Sequence, residues 1–239
     1  MAKAKIDRKH AAELATANRI LFDQGVVDGF GHVSIRDPGD PGRFLLARSM
    51  APGLVTPTDI MQFDLDGAAI DPRGRAVYLE RFIHGSIYKA RPDVASVVHS
   101  HSPSIIPFGI TPQKLRPVYH MSSFLGQDVP VFEIRQTAGD ATSMLVDSVK
   151  LGDALARSLG NAVVALMRGH GSVAVGQSLK HAVYRAVYAE INAKLQGEAI
   201  RLGPVTYLSP GEAKTAKESQ DRVLGRAYEL WERRVAKAK

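Results

Sequence analysis

Three histidines and a glutamate in this sequence have the types and spacing for metal-assisted chemistry. His99 and His101 follow a short apolar run at residues 94–98 that is rich in β-branched side chains and has the length of a buried strand. Residues two apart on a strand point to the same face, so if the strand continues, both imidazoles can meet one ion. Upstream, residues 78–90 lack proline and carry Phe82, Ile83 and Ile87 at helical spacing, and Pro92 favours a stop at Arg91. On that helix Glu80 and His84 sit four apart on one face. The plainer reading is that an H-x-H pair after a buried strand also occurs without metal.

A further candidate ligand lies downstream. A strand over 162–167 runs into Arg168-Gly169-His170-Gly171, and another apolar run follows at 172–175. A histidine between two glycines at a strand edge is presented to solvent or ligand, although a turn histidine without a role is the alternative. The chain has no cysteine, which excludes disulfides, thiolate ligands and thiol nucleophiles and is consistent with a cytoplasmic protein. A metal here must be held by nitrogen and oxygen, a donor set that suits one divalent ion such as Zn, Mn, Fe or Co.

The elements that must position these residues follow the order of the chain. A helix is expected over 7–25, with Ala11, Leu14, Ala15, Asn18, Leu21 and Phe22 on one stripe and Gly25 as its stop. Strands at 32–36 and 43–47 flank a Pro/Gly turn. Gly29 and Gly31 either let backbone approach a ligand or make a tight turn. A strand at 60–65 turns at Asp66-Gly67 into 68–70. Residues 102–120 are proline-rich and placed to wall a pocket. Beyond them a strand at 129–134 and a helix over 142–159, with Leu145, Val149 and Leu155 inward, are expected. A long helix over 178–202 has Ser178 as its N-cap and Glu190 and Lys194 paired on its flank, and a last helix covers 211–235.

The 239 residues, with 45% hydrophobic and 23% charged side chains, fit one domain over 1–239 with a sizeable core. No internal repeat or low-complexity linker divides them. No apolar run approaches the roughly 20 residues a membrane span needs. The basic start reads as a frayed end rather than a signal peptide. The net charge of +7 comes from scattered residues with small clusters at the ends (Lys3, Lys5, Arg8, Lys9; Arg233, Arg234, Lys237, Lys239) and no nucleic-acid motif. This describes a solvated basic surface that could steer a small anionic substrate, not a nucleic-acid binder.

Taken together, GHVSIR, LERFIHGSIYKARPDVASVVHSH and RGHGSVAVG resemble the class II aldolase/adducin family over most of the chain. The resemblance implies a three-layer α/β/α fold with a mostly antiparallel central sheet, and a homotetramer with active sites between subunits. It implies that His99, His101 and His170 hold a divalent metal and that Glu80 is the acid/base or an exchangeable ligand. Phosphosugar members hold phosphate with G-N-x-S and a serine pair before the glutamate. Here Gly31-His32-Val33-Ser34 and Tyr78-Leu79 stand in those places, and a buried phosphate without donors is costly.

Those replacements, with FLLARSMAPGLV and MRGHG, resemble the subgroup that decarboxylates aromatic acids or ring-cleavage products, such as 3,4-dihydroxyphthalate and hydroxycarboxymuconic semialdehyde. The expected activity is metal-dependent decarboxylation of a small aromatic or hydroxy-keto acid. Glu80 moves the proton, and His32 hydrogen-bonds the substrate or assists that transfer. Gly31 and Ser34 line the substrate, and Arg48, with Arg81 and Arg168 as alternatives, orients carboxylates. Tyr78, His84 and His120 default to packing. The competing readings are an aldolase for an unphosphorylated hydroxy acid or sugar, and a non-catalytic adducin-like interaction domain.

Overall fold

Eight strands form one sheet in the order β4-β3-β2-β1-β5-β8-β7-β6 in a computed structural model that describes residues 6–237. Every neighbouring pair is antiparallel except β6 with β7. In chain order, α1 (Arg8–Asp23) precedes β1 (His32–Arg36), β2 (Arg43–Ala47), β3 (Ile60–Asp64) and β4 (Ala69–Ile70). Then come α2 (Arg81–Ala90), β5 (Ser96–Ser100), α3 (Ile106–Ile110), β6 (Val131–Phe132), α4 (Arg135–Ala138) and α5 (Val149–Leu159). The chain continues through β7 (Val164–Met167), β8 (Gly171–Gly176), α6 (Leu179–Leu202), α7 (Pro210–Val223) and α8 (Gly225–Lys237). Lys3, Lys5 and Lys239 of the basic clusters, and the start read as frayed, lie outside the described residues.

The sheet is covered on both faces, which gives the three layers. Val33, Ile35, Leu45 and Val98 pack toward α1, α6 and α8. The alternate residues Phe44, Leu46, Met61, Phe63, Val97 and Val173 pack toward α2 and α5. Strand period two therefore sends His32, Ser34 and His99 to the α2 face, and the register sets His32 opposite His99 and Ser34 opposite Val97. No described helix is long and apolar enough to cross a membrane.

Several boundaries differ from expectation. The central helix starts at Arg81, not Tyr78, because tertiary contacts hold Tyr78: its ring lies 4.6 Å from that of His32 and its hydroxyl donates to the Met50 carbonyl. Glu80 thus occupies the N-cap position. The strand expected at 94–98 is displaced to β5, which carries His99 inside the sheet and leaves His101 just past its end. Residues 142–148 are not helical. Ser148 caps α5 by accepting from the Leu151 N–H, and Met144 adopts φ +67°, so the helix begins late. The last helix is two, broken between Val223 and Gly225. Glu190 does not pair with Lys194 but accepts from the Ser104 N–H. The strand expected over 129–134 shortens to β6.

Gly171 shows how close the strands come beside the histidines. A Cβ there would lie 2.0 Å from the Ser100 carbonyl oxygen, a backbone atom that has nowhere to move. Only glycine lets β8 meet the end of β5.

Candidate metal centre

Glu80, His99, His101 and His170 converge so that one donor atom from each lies within 4.8 Å of the others. They come from the start of α2, the end of β5 and the turn before β8. The Nε2 atoms of His99 and His101 are 3.2 Å apart, and those of His101 and His170 are 3.0 Å apart. Glu80 Oε2 lies 3.4 Å from His99 Nε2 and 3.5 Å from His170 Nε2.

Backbone carbonyls orient the imidazoles. His99 Nδ1 is 3.1 Å from the Ser172 oxygen, and His170 Nδ1 is 3.0 Å from the Met144 oxygen. A carbonyl only accepts, so both Nδ1 atoms carry the proton and both Nε2 atoms present lone pairs. The other carboxylate oxygen, Glu80 Oε1, accepts from the Val146 N–H at 2.9 Å. The residues that are not helical at 144–146 therefore supply two of these backbone supports. Sequence reasoning missed them, although Ser148 as an N-cap was the signal that residues 144–147 keep free backbone groups.

The donor set fits a divalent cation. Lone pairs and a carboxylate that face one another repel, and the remaining proton of His101 can bridge only one of the gaps. Ligands about 2.0–2.1 Å from a tetrahedral ion lie about 3.3 Å apart, close to the separations found. Burial by itself raises the Glu80 carboxyl; when His99 or His170 takes a second proton at Nε2 in the absence of an ion, its positive charge outweighs burial and holds Glu80 well below the usual carboxylate range. Burial, with His99 and His170 adding to it, pushes His101 down to about 4, so it is neutral and able to ligate at pH 7.

A cavity of about 330 Å³ opens beside the cluster. Its lining includes Phe30, Gly31, Met50, Tyr78, Leu79 and Leu145, with His32, Glu80 and His101 as the imidazole and carboxylate groups and no lysine or arginine among the described residues. Gly31 is required there, because at φ +90° a Cβ would stand 2.6 Å from Val27 Cγ1 and 3.0 Å from the His99 oxygen. Ser34 is fully buried behind His32 and does not line the cavity. Arg48 pairs with Asp59 at 2.7 Å; its chain neighbours Ser49 to Ala51 line the cavity, as do Tyr78 to Glu80 just before Arg81, but neither arginine is itself in the lining. Arg81 donates to the Gly67 and Tyr78 carbonyls, and Arg168 pairs with Glu133.

His84 is four residues from Glu80 but does not join the cluster. It is fully buried between His32 and Ser34, and burial, with His99 adding to it, pushes it down to about 3. An unfolded histidine titrates near 6.5. Below that pH the unfolded chain takes a proton on His84 that the folded chain refuses, so stability present above pH 6.5 is lost as the pH falls toward 3. The slope is up to about 1.4 kcal/mol per pH unit for one proton. Urea denaturation in chelator at pH 7, 6 and 5 should show His84→Gln with a shallower pH dependence than the parent; equal slopes would remove His84 as a source.

Comparison with known proteins places this geometry. Residues 12–197 match the family model of the class II aldolase and adducin N-terminal domain. The chain belongs to the class II aldolase/adducin family. Within it, the decarboxylase tropJ of Talaromyces stipitatus is 38% identical over 239 aligned residues, covering 90% of each chain. The 3,4-dihydroxyphthalate decarboxylase of Rhodococcus jostii is 28% identical, covering 80% of each. Among solved class II aldolase folds, L-fuculose 1-phosphate aldolase from Glaciozyma antarctica superposes with a TM-score of 0.79 at 23% identity, over 95% of this chain and 88% of that one.

Proposed function

We propose that this chain is a divalent-metal-dependent decarboxylase of a small aromatic acid resembling a dihydroxyphthalate, or of a related hydroxy-keto acid from ring cleavage. The observation that carries this reading is the cavity: apolar and aromatic walls without lysine or arginine stand directly against the Glu80–three-histidine cluster. A phosphate dianion against these walls would find no cationic side chain among the described lining residues, which is costly, whereas a flat ring is accommodated. Two family relatives that carry decarboxylase names support the same reading.

His99, His101 and His170 would hold the ion through Nε2. A bound divalent ion supplies Lewis-acid stabilisation of the negative charge left when the carbon–carbon bond breaks. Glu80, ionised and fixed through Oε1 by Val146, is free at Oε2 to take the proton of a substrate hydroxyl and return it to the carbon that loses carbon dioxide. The product oxygen regains its proton from solvent. The apolar wall disfavours the departing carboxylate relative to neutral carbon dioxide. Arg48, outside the lining and paired with Asp59, would have to turn from that pair to meet a second carboxylate. The assembly we expect is a homotetramer in which exposed Phe30 and Leu79 at the cavity rim are covered; a monomer by light scattering would remove that part.

The test is carbon dioxide release from 3,4-dihydroxyphthalate, other dihydroxyaromatic acids and carboxylated muconic semialdehydes, each with Mn, Fe, Co or Zn and a His101→Ala control. Metal-dependent release that disappears in the control is the expected result. Release of a carbonyl fragment instead would replace decarboxylation by aldol cleavage, and a protein that binds no metal would favour the non-catalytic interaction domain.

A further inference from the structure

Behind the cavity lies a buried chain of polar groups that the reaction above does not use. Tyr88 hydroxyl is 2.7 Å from Ser34 Oγ, Ser34 Oγ is 2.6 Å from His84 Nδ1, and His84 Nε2 is 2.7 Å from His32 Nδ1. Tyr88, Ser34 and His84 are each at most 1% exposed, and His32 is 3% exposed and lines the cavity. His84 and Tyr88 are one turn apart on α2, over the face of β1 that carries His32 and Ser34. Phe44 stacks against His84 at a ring distance of 6.0 Å and an interplanar angle of 22°, which holds the ring in place.

Counting protons gives this chain a direction. With neutral rings, the tyrosine, the serine and the two histidines each carry one mobile proton. Three hydrogen bonds join the four groups, so one proton is left over at one end. At the Tyr88 end Ser34 Oγ is the one hydrogen-bond acceptor for the phenol among the described residues, and the Val97 N–H and the Arg36 guanidinium near it are donors, which cannot accept the proton. A buried O–H without an acceptor costs about 1–3 kcal/mol, so the phenol donates to Ser34. Ser34 then donates to His84 Nδ1, and His84 donates through Nε2–H to His32 Nδ1. The spare proton falls on His32 Nε2, the ring nitrogen not engaged by His84. Burial keeps the Tyr88 phenol protonated by pushing it above its ordinary value, and keeps His84 neutral.

We propose that Ser34 and His84 are positioning residues that fix His32 in the Nε2–H tautomer, so that His32 donates a hydrogen bond to an anionic oxygen of the substrate and is not the base. The tautomer follows from the chain alone. The identity of the acceptor rests on the decarboxylase reading, in which carboxylate or phenolate oxygens enter the cavity. Such a donor, fixed in advance, stabilises charge without reorganising during the reaction. The proton-transfer role then belongs to Glu80 alone.

The test is long-range ¹⁵N–¹H correlation of the histidine rings at neutral pH in the full-length protein loaded with diamagnetic zinc, with the His32 signals assigned by their loss in His32→Gln. The expected result is a protonated Nε2 and a bare Nδ1 on His32, kept in Tyr88→Phe, where Ser34 becomes the hydroxyl that must donate to His84, and both tautomers populated in Ser34→Ala, which leaves His84 Nδ1 with no hydroxyl to accept from. A protonated Nδ1 on His32 in the parent would overturn the proposal. An unchanged His32 signature in a folded Ser34→Ala would overturn the hydroxyl chain as the source of the tautomer. Neither readout depends on turnover, so failure of the carbon dioxide assay leaves this result standing and removes only the assigned acceptor.

Discussion

Glu80→Gln is expected to lower turnover by about 100-fold or more while the three histidines still bind metal. The glutamine keeps the shape of the side chain and can still accept from the Val146 N–H through its amide oxygen. It cannot take a proton at the position of Oε2, and it removes the negative charge that faces His99 and His170. Steady-state rates, with metal content measured on the same sample, check this. A variant with near-normal kcat and full metal occupancy would remove Glu80 from the proton path. A variant without metal would make Glu80 a ligand first.

His101→Ala is expected to weaken metal binding by about 100-fold or more and abolish activity, with little loss of stability in the metal-free protein. His101 suits this test better than His99. His99 is fully buried inside β5 and bonded to the Ser172 carbonyl, so truncating it also opens a hole in the sheet. His101 stands past the strand end, partly exposed, with its contacts toward the other imidazoles. Adding zinc should raise the melting temperature of the parent and leave that of the variant nearly unchanged, because only the parent gains stability by binding. An equal zinc-induced rise in both would exclude His101 as a ligand.

The positions of the chemistry were legible in the sequence where spacing is local. H-x-H at a strand end, a histidine between glycines and the carboxylate nineteen residues before His99 are short-range patterns, and the fold brings all four together. The strands 32–36 and 43–47 were also readable, because the Pro/Gly turn that joins them is a local signal with a short run on either side. So was Ser178 as a helix cap, whose side chain needs only the next turn to find its partner.

Other features were decided by contacts between distant residues. The start of α2 depends on Tyr78 reaching His32 and Met50. The irregular path at 144–146 exposes the Val146 N–H to Glu80 and the Met144 carbonyl to His170, pairings that span 66 and 26 residues. Helical spacing correctly put Glu80 and His84 near one another but could not separate their environments. Glu80, at the helix start, faces the three imidazoles, while His84, one turn in, lies over β1 between His32 and Ser34. Sequence determines which groups are available and which face of their own element they take. The hydrogen-bond partners that set their charge and proton positions come from other elements, and only the packing of α2 and the 144–146 segment against the sheet supplies them.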